Sequence, residues 1–335
     1  MGIDQHGRKI DYLRISITDR CNLRCLYCMP EEGVPWRPHD AMLTLEEIAF
    51  FVTVAAEEGF SRIRLTGGEP LVRLGVVDLI HDIVRTPGIE RVAMTTNGVL
   101  LPKYATLLRE AGLNRVNISL DTLDPDQYAY ITRCGAIEKV FSGIEAALEA
   151  GFNPVKINSV VIRSLHQDLL AFARLSIDRP LHMRFIEYMP VGDAKGEDGL
   201  GWSEEDTIPN EELIGLINEQ ASAAGLGELL PLSEASRPEG WGPARYYMFK
   251  GALGTVGFIS AISRHFCGEC NRIRMTAEGK LRPCLFSDLE FDAKAAIRAK
   301  DKNEIRRLLH TVLDSKPDEH HHRVGTERSM SQIGG

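Results

Sequence analysis

Residues 14–30 read RISITDRCNLRCLYCMP. A strand-like segment runs straight into three thiols, Cys21, Cys25 and Cys28, spaced C-x₃-C-x₂-C. Structural zinc usually takes four nitrogen or sulfur ligands, so three thiols in one loop suit it poorly. They suit an iron–sulfur cubane in which one iron has no protein ligand and stays open to a small molecule. The plainer alternative is a loop of small buried thiols.

Outward from this stretch, the chain alternates strands with helices. Strands are expected at 11–18, 62–66, 91–96, 114–120, 154–162 and 181–188. Helices are expected at 44–58, 74–85, 102–111, 125–131, 138–150 and 166–177. Thr44 three residues before Glu47 is a capping-box signal. Six such units imply a parallel sheet with right-handed crossovers, two short of an eight-fold barrel. The expected fold is α/β, a partial (βα)6 barrel with functional residues at its C-terminal strand ends. From residue 189 the rhythm breaks. A Gly- and acid-rich loop at 190–210 comes first, then a helix at 210–219 and a strand pair at 245–250 and 255–260. Helices at 291–299 and 302–313 precede a polar tail containing His320, His321 and His322. The division is a barrel over 1–230, a C-terminal α+β region over 231–315 and a flexible tail over 316–335.

The chain has 39 basic and 47 acidic residues, a net charge of −8, which argues against holding nucleic acid by its overall field. An anionic substrate would need a local basic cluster. No apolar h-region opens the sequence and no run of about 18 apolar residues occurs, so neither secretion nor a membrane span is expected. Seven cysteines, an odd number, in such a chain point to metal binding in a reducing compartment, hence the cytoplasm.

Three further features carry chemistry. Gly67-Gly68-Glu69-Pro70 ends the second strand, where glycines permit close backbone approach. A second thiol set, Cys267, Cys270 and Cys284, lies in FCGECNRIRMTAEGKLRPC; His265 could complete a zinc site there, or the set could hold a second open cluster. Arg14, Arg64, Lys156, Arg184, Arg272 and Arg274 fall on strands or beside a cysteine loop. A lone strand cation is commonly a salt bridge, whereas several facing one cavity would form a phosphate clamp.

The first cysteine spacing, with Tyr27 before the third thiol, resembles the radical S-adenosylmethionine (SAM) enzymes. The second set, with Asn271-Arg272-Ile273-Arg274 behind Cys270, resembles one of their families, the GTP 3′,8-cyclases of molybdenum cofactor biosynthesis. The likeness also takes in RIRLTGGEPLVR, TTNG, INSVVI, MRFIEYMPVG and the final Gly-Gly. It implies two [4Fe–4S] clusters, one on Cys21, Cys25 and Cys28 and one on Cys267, Cys270 and Cys284. It implies SAM contacts at Tyr27, Gly68, Ser119 and Met189, with Gly67 in the same turn. GTP contacts follow at Arg14, Arg64, Thr95, Lys156, Arg272 and Arg274, with Arg184 less directly matched. Gly334 and Gly335 would reach the active site. The implied activity is conversion of GTP to (8S)-3′,8-cyclo-7,8-dihydroguanosine 5′-triphosphate through the 5′-deoxyadenosyl radical. Implied partners are a flavodoxin- or ferredoxin-type donor of low-potential electrons, a downstream cyclic pyranopterin monophosphate synthase and a second copy of the chain. The competing readings are a peptide- or RNA-modifying radical SAM enzyme and a non-catalytic iron–sulfur or zinc redox sensor. Cys134, outside both sets, is expected to be a small buried hydrophobe.

Overall fold

A computed structural model describes residues 2–35, 38–189, 204–319, 326 and 328–334. The first half is the expected alternation. Its elements are β1 (Tyr12–Ser16), α1 (Leu45–Glu57), β2 (Arg62–Thr66), α2 (Val76–Val84), β3 (Arg91–Thr96) and α3 (Leu101–Glu110). Then come β4 (Arg115–Ser119), α4 (Pro125–Thr132), α5 (Ile137–Glu149), β5 (Val155–Val161), α6 (Leu169–Arg174) and β6 (Leu181–Glu187). The α1 signal is realised: Glu47 N donates to Thr44 Oγ1 at 3.2 Å and Thr44 N to Glu47 Oε2 at 2.8 Å.

Further along the chain are α7 (Asn210–Ala223), β7 (Leu230–Pro231), β8 (Arg245–Met248), β9 (Thr255–Ile259), β10 (Arg272–Met275), β11 (Lys280–Arg282) and β12 (Phe291–Asp292). Three helices follow: α8 (Lys294–Arg298), α9 (Lys302–Asp314) and α10 (Met330–Ile333). All the strands belong to one sheet, ordered β12-β11-β10-β1-β2-β3-β4-β5-β6-β9-β8-β7. Strands β1 to β6 are parallel, as expected, while β9 and β10 extend the sheet in parallel beyond β6 and β1. The 231–315 region therefore forms both flanks of the barrel sheet, and the boundary at 230/231 runs through β7. Strand β10 was not anticipated. Four residues read mainly as a basic motif become a strand because the β1 edge supplies the ladder, Tyr12 opposite Arg272 and Arg14 opposite Arg274.

Side chains alternate across a strand, and here the alternation separates two environments. Leu13, Ile15, Ile63, Leu65, Met94, Val116, Ile118 and Ile157 join the main apolar core. Their neighbours Tyr12, Arg14, Arg64, Thr95, Asn117 and Asn158 line the concave face. On the helix side, Phe185 packs between Phe172 and Phe258, with ring centroids 6.2 and 5.7 Å away.

Parts of the described tail are packed. Lys316 is 4% and Ile333 1% exposed, and a Ser329/Gln332 capping box starts α10. Apolar burial of Ile333 outweighs the fraying expected of a chain end. The histidine run, Gly335 and most of the 190–210 loop lie outside the described residues; 204–206 form a 3₁₀ turn that leads into α7.

Phe185→Ala should cost about 3–5 kcal/mol of stability, the range for deleting a fully packed ring. Chemical denaturation checks this, and a loss below about 1 kcal/mol would contradict the packing described.

Candidate active site

The first cysteine loop is clasped by the end of α4. Arg24 N donates to Thr132 O at 3.1 Å and Leu26 N to Ile131 O at 2.9 Å. The Arg133 guanidinium reaches Arg24 O and Met29 O at 3.3 and 3.1 Å. Cys134 corrects the sequence reading: it is exposed rather than buried, and its Sγ stands 3.6 Å from Asn22 O. It belongs to the clasp because the turn after α4 closes over the loop.

The Gly-Gly turn grips the same loop from the other side. Gly68 N donates to Thr18 O and Glu69 N to Arg20 O, both at 2.8 Å. A Cβ on Gly67 would stand 2.2 Å from Thr18 O, and one on Gly68 2.3 Å from Arg20 O. Glycine is required here by the approach of the chain to itself. Glu69, fully buried, accepts from Thr96 Oγ1 at 2.8 Å and Asn97 N at 2.7 Å. Burial raises its carboxyl to about 7. Asn97 passes the tie on to Asn22 at 2.7 Å, so β2, β3 and the cysteine loop are one hydrogen-bonded unit.

A cavity of about 260 Å³ fills the concave face. It is lined by Cys21, Cys25 and Cys28, by Tyr27, Gly67, Gly68, Ser119 and Met189, and by Arg14, Arg64, Thr95, Arg184, Arg272 and Arg274. Burial and the neighbouring Cys28, Asp121 and Cys21 push the Cys25 thiol well above its ordinary range, and Cys28 is pushed up to about 12. Such mutual repulsion is what a bound cationic iron centre would relieve, so the donor set fits a thiolate-ligated cluster. Among the described residues no three His, Cys, Asp or Glu side chains gather as a site for a single metal ion. Cluster thiolates bind separate irons. Tyr27 donates to Asp121 Oδ2 at 2.5 Å, and burial raises Asp121 to about 6.

The basic residues form one buried group. Burial and Arg274 push Arg14 well below its ordinary value. Against the effect of burial, Arg64, Arg14 and Arg272 bring the Tyr12 hydroxyl down to about 7. Arg64 donates to the Tyr12 hydroxyl and to Thr95 Oγ1, the latter at 3.2 Å. Turned so that its carbonyl oxygen faces them, Asn117 accepts from Arg184 at 2.7 Å and from Arg64. Arg184 Nε and Arg272 Nε are buried donors without an acceptor, as a site built for an anion leaves them. Arg274 also donates to Ile333 O at 3.3 Å and to Gly334 O. Gly334 sits against Ser16 and Thr66 with φ +73, where a Cβ would stand 2.6 Å from Thr66 Cγ2.

Lys156 does not line this cavity. Its Nζ donates to Glu239 O at 2.7 Å, and Arg115 Nη1 donates to the same carbonyl at 2.8 Å. Trp241 covers Arg115 at 4.3 Å and meets Tyr12 edge-on at 5.6 Å. Arg115 and Asn117 were missed although period 2 aligns them with Ser119, the signal that could have found them. Glu239 and Trp241, in a Gly- and Pro-rich loop, gave none.

The second cysteine set lies just outside the lining, represented in the cavity by Phe266, Arg272 and Leu285. Arg272 stacks on Phe266 at 4.8 Å. His265, the candidate fourth zinc ligand, instead pairs with Glu319 at 3.4 Å.

Two family models match the chain: the radical SAM superfamily over residues 15–175 and Molybdenum Cofactor Synthesis C over 181–322. A GTP 3′,8-cyclase of Pelotomaculum thermopropionicum is 51% identical over 99% of both chains. Those of Heliobacterium modesticaldum and Moorella thermoacetica are 48% and 49% identical over 99% of this chain and 100% and 99% of their own. Among solved structures, Streptococcus suis SuiB bound to S-adenosylmethionine matches 87% of this chain and 63% of its own, with TM-score 0.57 and 14% identity. That likeness concerns the fold. Among the described residues no helix is long and apolar enough to cross a membrane.

Burial, with Arg184, Arg115 and Arg64 nearby, brings Lys156 down to about 5. In the unfolded chain the same amine keeps its proton up to about 10.5. Between these values the unfolded state binds more protons, so this group makes stability rise with pH from about 5 upward and fall as pH drops. Lys156→Met should flatten that slope and raise stability at pH 7 in the ligand-free protein. Denaturation of both proteins from pH 6 to 9 reads the difference, and parallel pH curves would refute it.

Proposed function

Because the chain belongs to the GTP 3′,8-cyclase family, we infer that it converts GTP to (8S)-3′,8-cyclo-7,8-dihydroguanosine 5′-triphosphate, the first step of molybdenum cofactor biosynthesis. The observation that carries this reading is the shared cavity: the first thiol trio and the Arg14, Arg64, Arg272 and Arg274 group open onto the same space. Membership of the radical SAM superfamily implies a [4Fe–4S] cluster and SAM. When bound, they supply a 5′-deoxyadenosyl radical able to abstract hydrogen from the ribose.

The protein's own residues bind and orient. Cys21, Cys25 and Cys28 would hold the first cluster, with the clasp and the Gly67-Gly68 turn fixing their loop. Tyr27, Gly68, Ser119 and Met189 would hold SAM beside it. Arg14, Arg64, Thr95, Arg272 and Arg274, with Arg184, would hold the nucleotide, since guanidinium forks match phosphate oxygens. Lys156 would join them through a shift from Glu239 O. Cys267, Cys270 and Cys284 would hold a second [4Fe–4S] cluster and recognise the base. Gly334, whose carbonyl Arg274 holds, and Gly335 would reach the nucleotide. Fixed geometry would keep the radical on its intended target.

The work divides between a barrel over 1–230, an auxiliary region over 231–315 that holds the second cluster, and the tail 316–335. The reaction draws electrons from a flavodoxin- or ferredoxin-type donor and delivers its product to a cyclic pyranopterin monophosphate synthase. The enzyme works in the cytoplasm as a homodimer.

The deciding experiment is anaerobic reconstitution followed by incubation with SAM, GTP and a strong reductant. About 8 iron per chain and GTP-dependent 5′-deoxyadenosine are expected. Cys21→Ala should abolish SAM cleavage, whereas Cys284→Ala should leave cleavage uncoupled from GTP. Zinc in the second site, or no nucleotide product, would overturn the assignment.

A further inference from the structure

The second cysteine set is wrapped by both ends of the chain, and the two cations that do the wrapping differ in kind. Arg8 donates to Cys267 O at 2.7 Å, Asp318 O at 2.9 Å and Pro317 O at 2.5 Å. Its charge is met by Asp4 at 2.6 Å, an ion pair with both side chains buried. Lys316, 4% exposed, donates from Nζ to Cys270 Sγ at 3.4 Å, Arg272 O at 2.8 Å and Pro283 O at 3.0 Å. None of these acceptors is a carboxylate.

A buried ammonium is costly unless negative charge lies beside it. Two carbonyls take two of its three protons but do not meet its charge; the third proton goes to the Cys270 sulfur, which would be a negative ligand once it holds a cluster. The same amine ties the carbonyl ahead of Cys284 to that of Arg272, so it also sets how far apart two of the three thiols stand. Hydrogen bonds and charge at the sulfurs tune cluster potential and retention.

We propose that Lys316 is the positioning residue of the second thiol set: through the Cys270 sulfur it retains a [4Fe–4S] cluster there and raises that cluster's potential. The proposal rests on the second-cluster reading given above. Positive charge beside the sulfur favours the reduced, more negative cluster, so removing it lowers the potential. Lys316 touches no substrate.

The test uses the full-length reconstituted chain and Lys316→Met, which removes the charge while keeping most of the volume. Redox titration followed by electron paramagnetic resonance reads both clusters, and the one whose signal responds to added SAM is the internal standard. The SAM-insensitive signal should shift to more negative potential, and its iron should be lost to a chelator several-fold faster. The SAM-responsive signal should stay in place. Lys316→Arg, which keeps a charged donor, should restore both readouts toward wild type. A wild type with about 8 iron and an unmoved Lys316→Met variant would overturn this proposal alone, as would equal shifts in both signals. A wild type with only about 4 iron would overturn the second-cluster reading and this proposal together.

Discussion

Burying like charges on the inner face of a barrel is the constraint on which the rest of this structure depends. Arg14, Arg64, Arg184 and Arg274 share a lumen with few carboxylates to neutralise them. Each desolvated ion costs several kcal/mol unless something negative lies beside it. The fold meets this with Asn117 between Arg64 and Arg184, with Glu239 O for Arg115, and with a Tyr12 hydroxyl that the arginines bring down to about 7. These arrangements hold the cations apart and oriented while leaving donors such as Arg184 Nε and Arg272 Nε without acceptors. A polyanion would supply what the protein withholds. The site therefore sacrifices stability in exchange for affinity, and the overall charge of −8 makes that local field selective.

The radical-generating end follows a different logic, rigidity without charge. The cysteine loop has no helix or strand of its own, and besides a turn in which Cys28 N donates to Cys25 O at 2.9 Å it is held from outside. Backbone groups of α4, the Arg133 side chain and the Gly67-Gly68 turn fix it on two sides. Glu69, buried and tied to Thr96 and Asn97, links that turn to the neighbouring strand. A loop anchored at this density keeps three thiols in register on the cavity lining, where they would hold a cluster. The arginines and the thiol trio thus line one cavity.

Much of the barrel was legible in the sequence because its signals are local. Period-2 alternation in RIRLT and INSVV, helix periodicity and the Thr44/Glu47 capping box each act within a few residues. Cysteine spacing is equally local, since the thiols share a loop. The misses are long-range. The strand at 272–275 exists because β1 offers an edge. Cys134 is exposed because α4 ends where it does, and Glu239 meets the Lys156 amine from 83 positions away in sequence. Gly334 similarly sits against Ser16 and Thr66 of the first two strands.

By itself the sequence determined which groups are available: two thiol trios, a Gly-Gly turn and a surplus of strand cations. It also determined that the parallel alternation would set strand cations and apolar residues on opposite faces. Only the tertiary structure decided which of these groups meet. Curvature of the sheet turns separated arginines into one clamp, and flanking strands carry the second thiol trio beside the lumen. Both ends of the chain then converge on Cys267 and Cys270, giving one thiol a buried ammonium that no local pattern announces. The reason is physical: charge and burial act through space, and residues far apart in sequence become neighbours only when the sheet closes around its core.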